Sequence, residues 1–398
     1  MSVKFYKSEN QVPLEMHKVR VIQKLNLLPV DERLRAIQKA GNNTFLLQNK
    51  DIYLDMLTDS GVNAMSDRQT AAMHMADDSY AGSETFARLK TAMKEVFGTD
   101  NVLPAHQGRA CENILAERFV KPGTVAIMNF HFTTTKAHVT RCGGEVVEVL
   151  HKKGLIPQSD DPFKGDMDLQ ELRRVITEYG PEKVAYVRVE AGTNLIGGQP
   201  VSLENMLAVA DICHEFGVPS ILDASLLQDN IYFMKTREAQ CKYMTPKEIY
   251  HLLAGKMDII YFSARKLGFA RGGAIISHNT ELIKSMMDYI PLYEGFLTYG
   301  GMSVKEMEAL IIGFEETMDL DVISQGPQFI DHCVRELDSL GIPMVTPGGG
   351  LGAHINAREV VSHIPSEEYP AGSLVAALYL AGGIRGMRIR RVRFRSRR

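Results

Sequence analysis

The chain has 398 residues, with 45 lysines and arginines against 48 aspartates and glutamates, and a formal net charge of −3. This balance gives no reason to expect a nucleic-acid partner, and no apolar run reaches the length that spans a bilayer. Five scattered cysteines without a Cys-x-x-Cys pair predict reduced thiols in a cytoplasmic protein, rather than a zinc site or a disulfide framework. The N-terminus is polar, so we expect no signal peptide.

Helical patterns come first along the chain. Predicted helices cover residues 31–41, 66–75 and 83–97, each with a capping residue at its start or a glycine at its end. In the third segment the apolar residues recur at helical spacing, which indicates one buried face.

From about residue 101, predicted strands alternate with predicted helices. The strands cover 102–105, 124–128, 145–150, 183–189 and 218–223, and helices begin at Gly108, Thr133, Asp168, Ser202 and Pro246. Such alternation predicts an α/β fold with a mainly parallel sheet covered on both faces, and its chemistry lies at the carboxyl ends of the strands. Residues 303–342 are predicted to be helical, and 343–398 to form a smaller α+β domain.

One lysine, Lys266, lies in a short turn between two β-rich runs, 259–263 and 274–277. Burial near apolar strands favours a neutral amine, which can form a Schiff base with an aldehyde. The aldehyde that this arrangement suggests is pyridoxal phosphate (PLP). An ordinary solvated lysine would explain this stretch better if it stood alone, so the interpretation depends on companion residues elsewhere in the chain.

Two sets of residues elsewhere in the chain could bind the ring nitrogen and the phosphate of PLP. Asp223 ends a predicted strand, where a carboxylate would keep the pyridine nitrogen protonated, although a helix-capping aspartate is an equally good explanation. Gln107, Gly108 and Arg109 lie between a strand and the start of a helix, where backbone N–H groups bind phosphate. Arg109 and Ser263 would add a charge and a hydroxyl.

Two further residues follow predicted strands. Phe132 has an aromatic face that could stack on the pyridine ring, although simple core packing explains it equally well. Asn194 could bond the cofactor's ring hydroxyl or the carboxylate of a substrate. Each signal is weak alone, but several strand ends carrying suitable groups together favour a PLP enzyme.

With these residues in place, the chain resembles the aromatic amino acid β-eliminating lyases, tryptophanase and tyrosine phenol-lyase, over roughly residues 30 to 387. The resemblance rests on the segments 43–47, 57–67, 78–83, 106–113, 132–135, 163–169, 194–202 and 293–301. It implies the fold-type I, PLP-dependent transferase-like fold, in a homotetramer built as a dimer of dimers. It also implies an N-terminal arm with part of the small domain (1–56), a large PLP-binding domain (57–310) and a small C-terminal domain (311–398).

The resemblance also assigns roles by position. Lys266 corresponds to the Schiff-base lysine and the base that removes the Cα proton. Tyr80 corresponds to a general acid that protonates the leaving ring from the neighbouring subunit. The implied substrate-binding groups are Thr58, Ser60, Thr133 and Asn194. Gly61 and Asp78 correspond to a region that binds an activating monovalent cation such as K⁺, where the family has glutamate in place of Asp78.

Three features depart from the family pattern. Leu226 stands where the family places an arginine near the ring hydroxyl of the cofactor. The segment from Lys266 to Gly272 is one residue shorter, which brings Arg271 close to the expected cation. After Met387 the pattern gives way to an arginine-dense tail, 388–398. This tail suggests an altered or truncated C-terminus, a substitute for the family's substrate-binding arginine, or a contact with an acidic partner.

Together these features predict a PLP-dependent carbon–carbon lyase that converts an aromatic L-amino acid to phenol or indole, pyruvate and ammonium. Thr133 and Met387 favour tyrosine slightly over tryptophan. Two alternatives stay open: a non-catalytic PLP-binding relative that has lost substrate recognition, and a lyase for S-substituted cysteines, whose leaving group would not need Tyr80.

Overall fold

A computed structural model describes residues 2–4, 11–61 and 64–389. The strands are β1 (Ser2–Lys4), β2 (Gln11–Pro13), β3 (Leu54–Asp55), β4 (Val102–Ala105), β5 (Val125–Met128), β6 (Glu145–Glu148), β7 (Val184–Glu190), β8 (Ser220–Asp223), β9 (Ile259–Ser263), β10 (Gly273–Ile276) and β11 (Ile384–Arg385). The helices are α1 (Val30–Lys39), α2 (Asp67–Met73), α3 (Glu84–Phe97), α4 (Gly108–Phe119), α5 (Thr133–Arg141), α6 (Leu169–Tyr179), α7 (Leu203–Phe216), α8 (Leu227–Arg237), α9 (Pro246–Lys256), α10 (Thr280–Lys284), α11 (Tyr289–Tyr293), α12 (Val304–Glu316), α13 (Leu320–Ile323), α14 (Gln325–Ser339), α15 (Ala357–Val360) and α16 (Pro370–Gly382).

A seven-stranded sheet in the order β4-β10-β9-β8-β7-β5-β6 forms the centre of the molecule. Strand β10 runs antiparallel to both of its neighbours, and the remaining pairs are parallel. Six strands therefore end at the same edge of the sheet, as the alternating sequence pattern predicted. The predicted α/β fold with a mainly parallel sheet is confirmed.

Helices cover both faces of this sheet, because residues of each strand point alternately to opposite sides. On β9, Ile260 and Phe262 join the core cluster formed with α3, α7, α9 and α12. Ile259 and Tyr261 face the other way, into the cluster formed with α4 and α5. Burial on both faces holds the strand ends, and the loops that follow them, in fixed positions.

The beginning and the end of the described chain pack together beside the large sheet. Strand β11 pairs in parallel with β3, and α1 packs on α16. The Arg33 side chain is buried, and it donates hydrogen bonds to the carbonyl oxygens of Leu380 and Ala381 at 2.9 and 3.2 Å. The domain boundaries at residues 56 and 310 stay a prediction.

The structure differs from the sequence-based expectation in a few elements. Helix α8 follows β8 directly and was missed, because its apolar residues lack a clear one-sided pattern. The segment 303–342, expected to be helical, is divided into α12, α13 and α14. The arginine-dense tail lies outside the described residues beyond Ile389. No described helix combines the length and apolar character that a membrane span requires.

Candidate active site

The carboxyl ends of the parallel strands open into a cleft of about 2230 Å³. Ten residues that the sequence analysis selected line this cleft: Thr58, Ser60, Gln107, Gly108, Arg109, Phe132, Asn194, Asp223, Ser263 and Lys266. They come from five strand ends and from the segment after β3. The fold therefore brings together residues as far apart in sequence as Thr58 and Lys266.

Lys266 sits in the turn between β9 and β10, and its side chain is only 13% exposed. The turn is held by a hydrogen bond from the Lys266 N–H to the Ser263 carbonyl at 3.1 Å. The Lys266 Nζ lies 5.8 Å from the centroid of the Phe132 ring. It also lies 3.0 Å from Asp59 Oδ2, so the amine has an anionic neighbour that the sequence analysis did not foresee.

The candidate phosphate cradle is the point where α4 begins. Helix α4 starts at Gly108, and its first N–H groups have no partner within the helix, which suits an anion. A Cβ on Gly108 would lie 2.8 Å from the Ser263 Cβ and 3.1 Å from the Ser263 nitrogen. Only glycine lets the helix approach the end of β9 this closely, so Ser263 and the helix N-terminus face the same space.

Asp223, at the end of β8, is buried in a network of hydrogen bonds. Its Oδ2 accepts from Arg188 Nη2 at 2.5 Å and from the Tyr261 hydroxyl at 2.8 Å. Its Oδ1 accepts from the Ser225 N–H at 3.0 Å. Burial acts to raise the pKa of Asp223, but Arg188, Ser225 and Tyr261 outweigh it and hold the pKa below its usual range. Asp223 is therefore an anion at neutral pH.

The remaining predicted site residues lie outside the lining of this cleft. Tyr80 is 62% exposed, and its ring stacks on Phe296 with centroids 5.0 Å apart. Thr133 begins α5, whereas its neighbour Thr134 faces the cleft. These positions leave the roles predicted for Tyr80 and Thr133 untested.

The two residues predicted to hold a monovalent cation are also absent from the lining of the cleft. Asp78 is exposed. The Arg265 guanidinium lies against Gly61. A Cβ built on Gly61 would be only 2.8 Å from Arg265 Nη1. A positive side chain already stands beside one of the two residues, and the K⁺ site stays a prediction.

A family model described as beta-eliminating lyase matches residues 55–382. The chain belongs to the β-eliminating lyase family. The tyrosine phenol-lyase of Pasteurella multocida is 36% identical to it over 376 residues, which is 94% of this chain and 82% of that protein. The tyrosine phenol-lyase of Lacrimispora saccharolytica is 38% identical over 375 residues, 94% and 80% of the two chains. The membership confirms the prediction of a PLP-dependent carbon–carbon lyase.

Solved structures agree with this lyase in fold. An aspartate aminotransferase double mutant of Thermus thermophilus superposes with a TM-score of 0.60 at 15% identity, covering 93% of this chain and 91% of that one. A serine palmitoyltransferase of S. paucimobilis, solved with PLP and myriocin, gives a TM-score of 0.60 at 11% identity, covering 89% and 88%. The predicted fold-type I architecture is confirmed.

The cleft of this lyase fits PLP in three respects. Gly108 lets the N–H groups at the start of α4 lie closer to Ser263 than any side chain would allow. Lys266 supplies a primary amine that is held by its backbone, and Asp223 supplies a buried anion. The three groups lie at separate strand ends around one space, as an aldehyde, a ring nitrogen and a phosphate on one small molecule require.

The sequence analysis missed four charged residues beside this site. Asp59 pairs with Lys266, and Asp229 lies nearby, where burial and then the Asp59 charge raise the pKa of Asp229 to about 8. Arg188 and Glu190 lie on β7 next to Asp223. The alternation of charged Arg188 and Glu190 within an apolar strand was the available signal, because such residues are rarely buried unless they are paired.

Proposed function

We propose that the chain cleaves an aromatic L-amino acid, L-tyrosine first, to the arene, pyruvate and ammonium. The observation that carries this proposal is the placement of Lys266, Asp223 and the Gly108 cradle around one cleft in a β-eliminating lyase. The relatives named tyrosine phenol-lyase support tyrosine as the substrate. Thr133 and Met387 supported the same choice in the sequence.

We assign the cofactor contacts to the chain's own residues. When bound, PLP supplies an electron sink for the bonds that break at Cα and Cβ. Lys266 Nζ would hold the cofactor through its aldehyde carbon, and the same amine would take the proton from the substrate Cα. Asp223 would keep the ring nitrogen protonated, since its carboxylate stays ionised. Phe132 lies beside the Lys266 amine and offers the ring a stacking face.

The phosphate and the substrate carboxylate need separate groups. Gln107, Gly108, Arg109 and Ser263 would hold the phosphate. The substrate carboxylate is assigned to Thr58, Ser60, Asn194 and Arg388. Arg388 lines the cleft and lies over the Tyr369 ring at 5.8 Å, so it is the described tail arginine that could replace the family's carboxylate-binding arginine. Its Arg388→Ala variant should raise KM far more than it lowers kcat.

Tyr80 is proposed to act in the cleft of a second copy of the chain, within a homotetramer. Its ring lies in an exposed aromatic cluster with Phe296 and Tyr299, apart from its own cleft. Such a cluster is the kind of apolar surface that subunit interfaces cover. From there the hydroxyl would protonate the leaving ring carbon.

A mixing experiment tests the trans role of Tyr80. Tyr80→Phe and Lys266→Ala should each be inactive toward L-tyrosine. After unfolding and refolding together in equal amounts, about a quarter of the wild-type activity should return, since about half of all pairs are mixed and each mixed pair holds one complete site out of two. A mixture that stays inactive, while its subunits associate, would place Tyr80 in its own subunit's site or outside the reaction.

The substrate itself is tested with the PLP-loaded protein. Pyruvate release is measured with L-tyrosine, L-tryptophan and S-methyl-L-cysteine, and Lys266→Ala should lower turnover by at least about 10²–10⁴-fold. Release with S-methyl-L-cysteine alone would favour the S-substituted cysteine lyase, a reading consistent with the position of Tyr80 outside its own cleft. A cofactor absorption band that no amino acid perturbs would favour the non-catalytic relative.

A further inference from the structure

Arg188 is a fully buried guanidinium behind the cofactor cleft. It is 1% exposed, and its guanidinium contacts two carboxyl groups and one hydroxyl. Nη2 donates to Asp223 Oδ2 at 2.5 Å, Nε donates to the Tyr261 hydroxyl at 2.8 Å, and Nη1 lies 3.3 Å from Glu190 Oε2. A buried charge persists only when such partners compensate its lost hydration. The Arg188 guanidinium therefore forms ion pairs with two carboxyl groups, those of Asp223 and Glu190.

Glu190 stands beside Asp223 at the edge of the sheet. The two residues are paired across β7 and β8, so their side chains leave the sheet at the same level. Glu190 lines the cleft, whereas Arg188 lies behind it and does not. The second Glu190 oxygen, Oε1, accepts from the Asn194 N–H at 3.3 Å. A second carboxyl thus adjoins the aspartate that would bind the ring nitrogen of the cofactor.

The charged and titratable groups around Glu190 determine which carboxyl groups of this cluster are protonated. Asp223 on β8 binds Arg188 more closely and remains ionised. Glu112 on α4 is buried and bound by two threonine hydroxyls, and burial raises the pKa of Glu112. Tyr261 on β9 donates to Asp223, and Lys266 approaches from the turn after β9.

Burial, opposed by Arg188, raises the pKa of Glu190 to about 7. Glu190 can therefore exchange a proton near neutrality, at the wall of the cofactor cleft.

We propose that Glu190 is a positioning residue that, together with Arg188, sets the charge around Asp223 and so the protonation of the cofactor held in the cleft. Above neutrality an ionised Glu190 adds a negative charge next to Asp223 and favours the protonated cofactor. Below neutrality a neutral Glu190 leaves Asp223 and Arg188 as a balanced pair. This inference rests on the cofactor site alone and is independent of the amino acid that the enzyme cleaves.

The test follows the visible absorption of the PLP-loaded protein without any substrate, between about pH 5 and 9. In Glu190→Gln the midpoint of the cofactor transition should fall by about 1 pH unit, because the neutral amide cannot stabilise the protonated form. The matched control is Glu171→Gln, which removes an exposed carboxylate on α6 and should leave the midpoint unchanged. Failure of the amino-acid cleavage assay would not affect this titration.

A midpoint in Glu190→Gln that equals or exceeds that of the wild type would overturn the proposal. Glu190→Asp serves as the rescue variant, because it keeps a titrating carboxyl, and its midpoint should lie near that of the wild type. If Glu190→Gln fails to hold PLP, Glu190→Asp decides the question. A wild-type midpoint in Glu190→Asp supports the proposal. A shifted midpoint in Glu190→Asp, or failure of this variant also to bind PLP, assigns Glu190 a purely structural role.

Discussion

Gly108→Ala is expected to loosen the phosphate cradle without unfolding the protein. The added Cβ would lie 2.8 Å from the Ser263 Cβ and 3.1 Å from the Ser263 Cα, whereas ordinary contacts begin at 3.4 Å. These neighbours are at or next to the backbone, so they cannot rotate away. The start of α4 and the end of β9 must separate by about 0.6 Å, and the two sides of the cradle would no longer fit one phosphate.

The expected loss of PLP affinity in Gly108→Ala follows from the hydrogen bonds that the phosphate would lose. A hydrogen bond to a charged group contributes roughly 1.5–3 kcal/mol, so losing most of one should weaken PLP binding by about tenfold to a hundredfold. Absorbance titration of the apoprotein with PLP measures this change. Gly255→Ala is the matched control, because Gly255 also lies in a helix but has nothing within 4 Å of its Cβ position. Equal dissociation constants for the two variants would refute the role of the close approach at Gly108.

Three further predictions concern stability. Arg33→Met should lower the free energy of unfolding in urea by about 2–3 kcal/mol, because it orphans the carbonyl groups that Arg33 binds between α1 and α16. Asn230→Leu should cost about 2–5 kcal/mol in the same assay, since it leaves two backbone N–H groups and one carbonyl unpaired in the core; a smaller loss than that of Asn101→Leu, at a half-buried position, would contradict this. Burial lowers the pKa of Lys164 to about 8, below its value of about 10.4 in the unfolded chain. Between these values the unfolded chain binds the extra proton, so the wild type should gain about 1–2 kcal/mol over Lys164→Met as the pH rises from about 8 to 10, and a falling difference would refute the assignment.

Much of the fold could be predicted because it depends on local signals. Strands β5, β7 and β8 were visible as short apolar runs, and α7 was visible from its serine cap and its final glycine. The order of the strands in the sheet could not be read from the same signals. Strand β10 inserts between β4 and β9 as an antiparallel neighbour, and that choice depends on contacts between segments that lie far apart in sequence.

The candidate site was predictable where a residue follows a strand end directly. Lys266, Asp223 and Gly108 were found in this way, because parallel strands deliver their final residues to one edge. Asp59 was missed because it follows no long strand, and only tertiary packing brings it within 3.0 Å of Lys266. Arg188 was missed because a central strand position normally indicates core packing, and two of its partners, Asp223 and Tyr261, lie on other strands.

The substitution at position 226 and the charge at position 188 are best understood together. Leu226 is buried and lines the cleft, and a Cβ on Gly192 would lie 2.8 Å from the Leu226 Cβ, so this wall of the cleft is apolar and closely packed. The positive charge that the family resemblance places at position 226 is therefore absent from that wall, as the leucine in the sequence indicated. Arg188 brings one to Asp223 from within the sheet instead. If charge near the cofactor is controlled from a central strand, then substitutions in β7 should change the spectrum of the cofactor as well as stability. Substitutions of the half-buried Val146 and Val147 in β6, at the far edge of the sheet, should change stability alone.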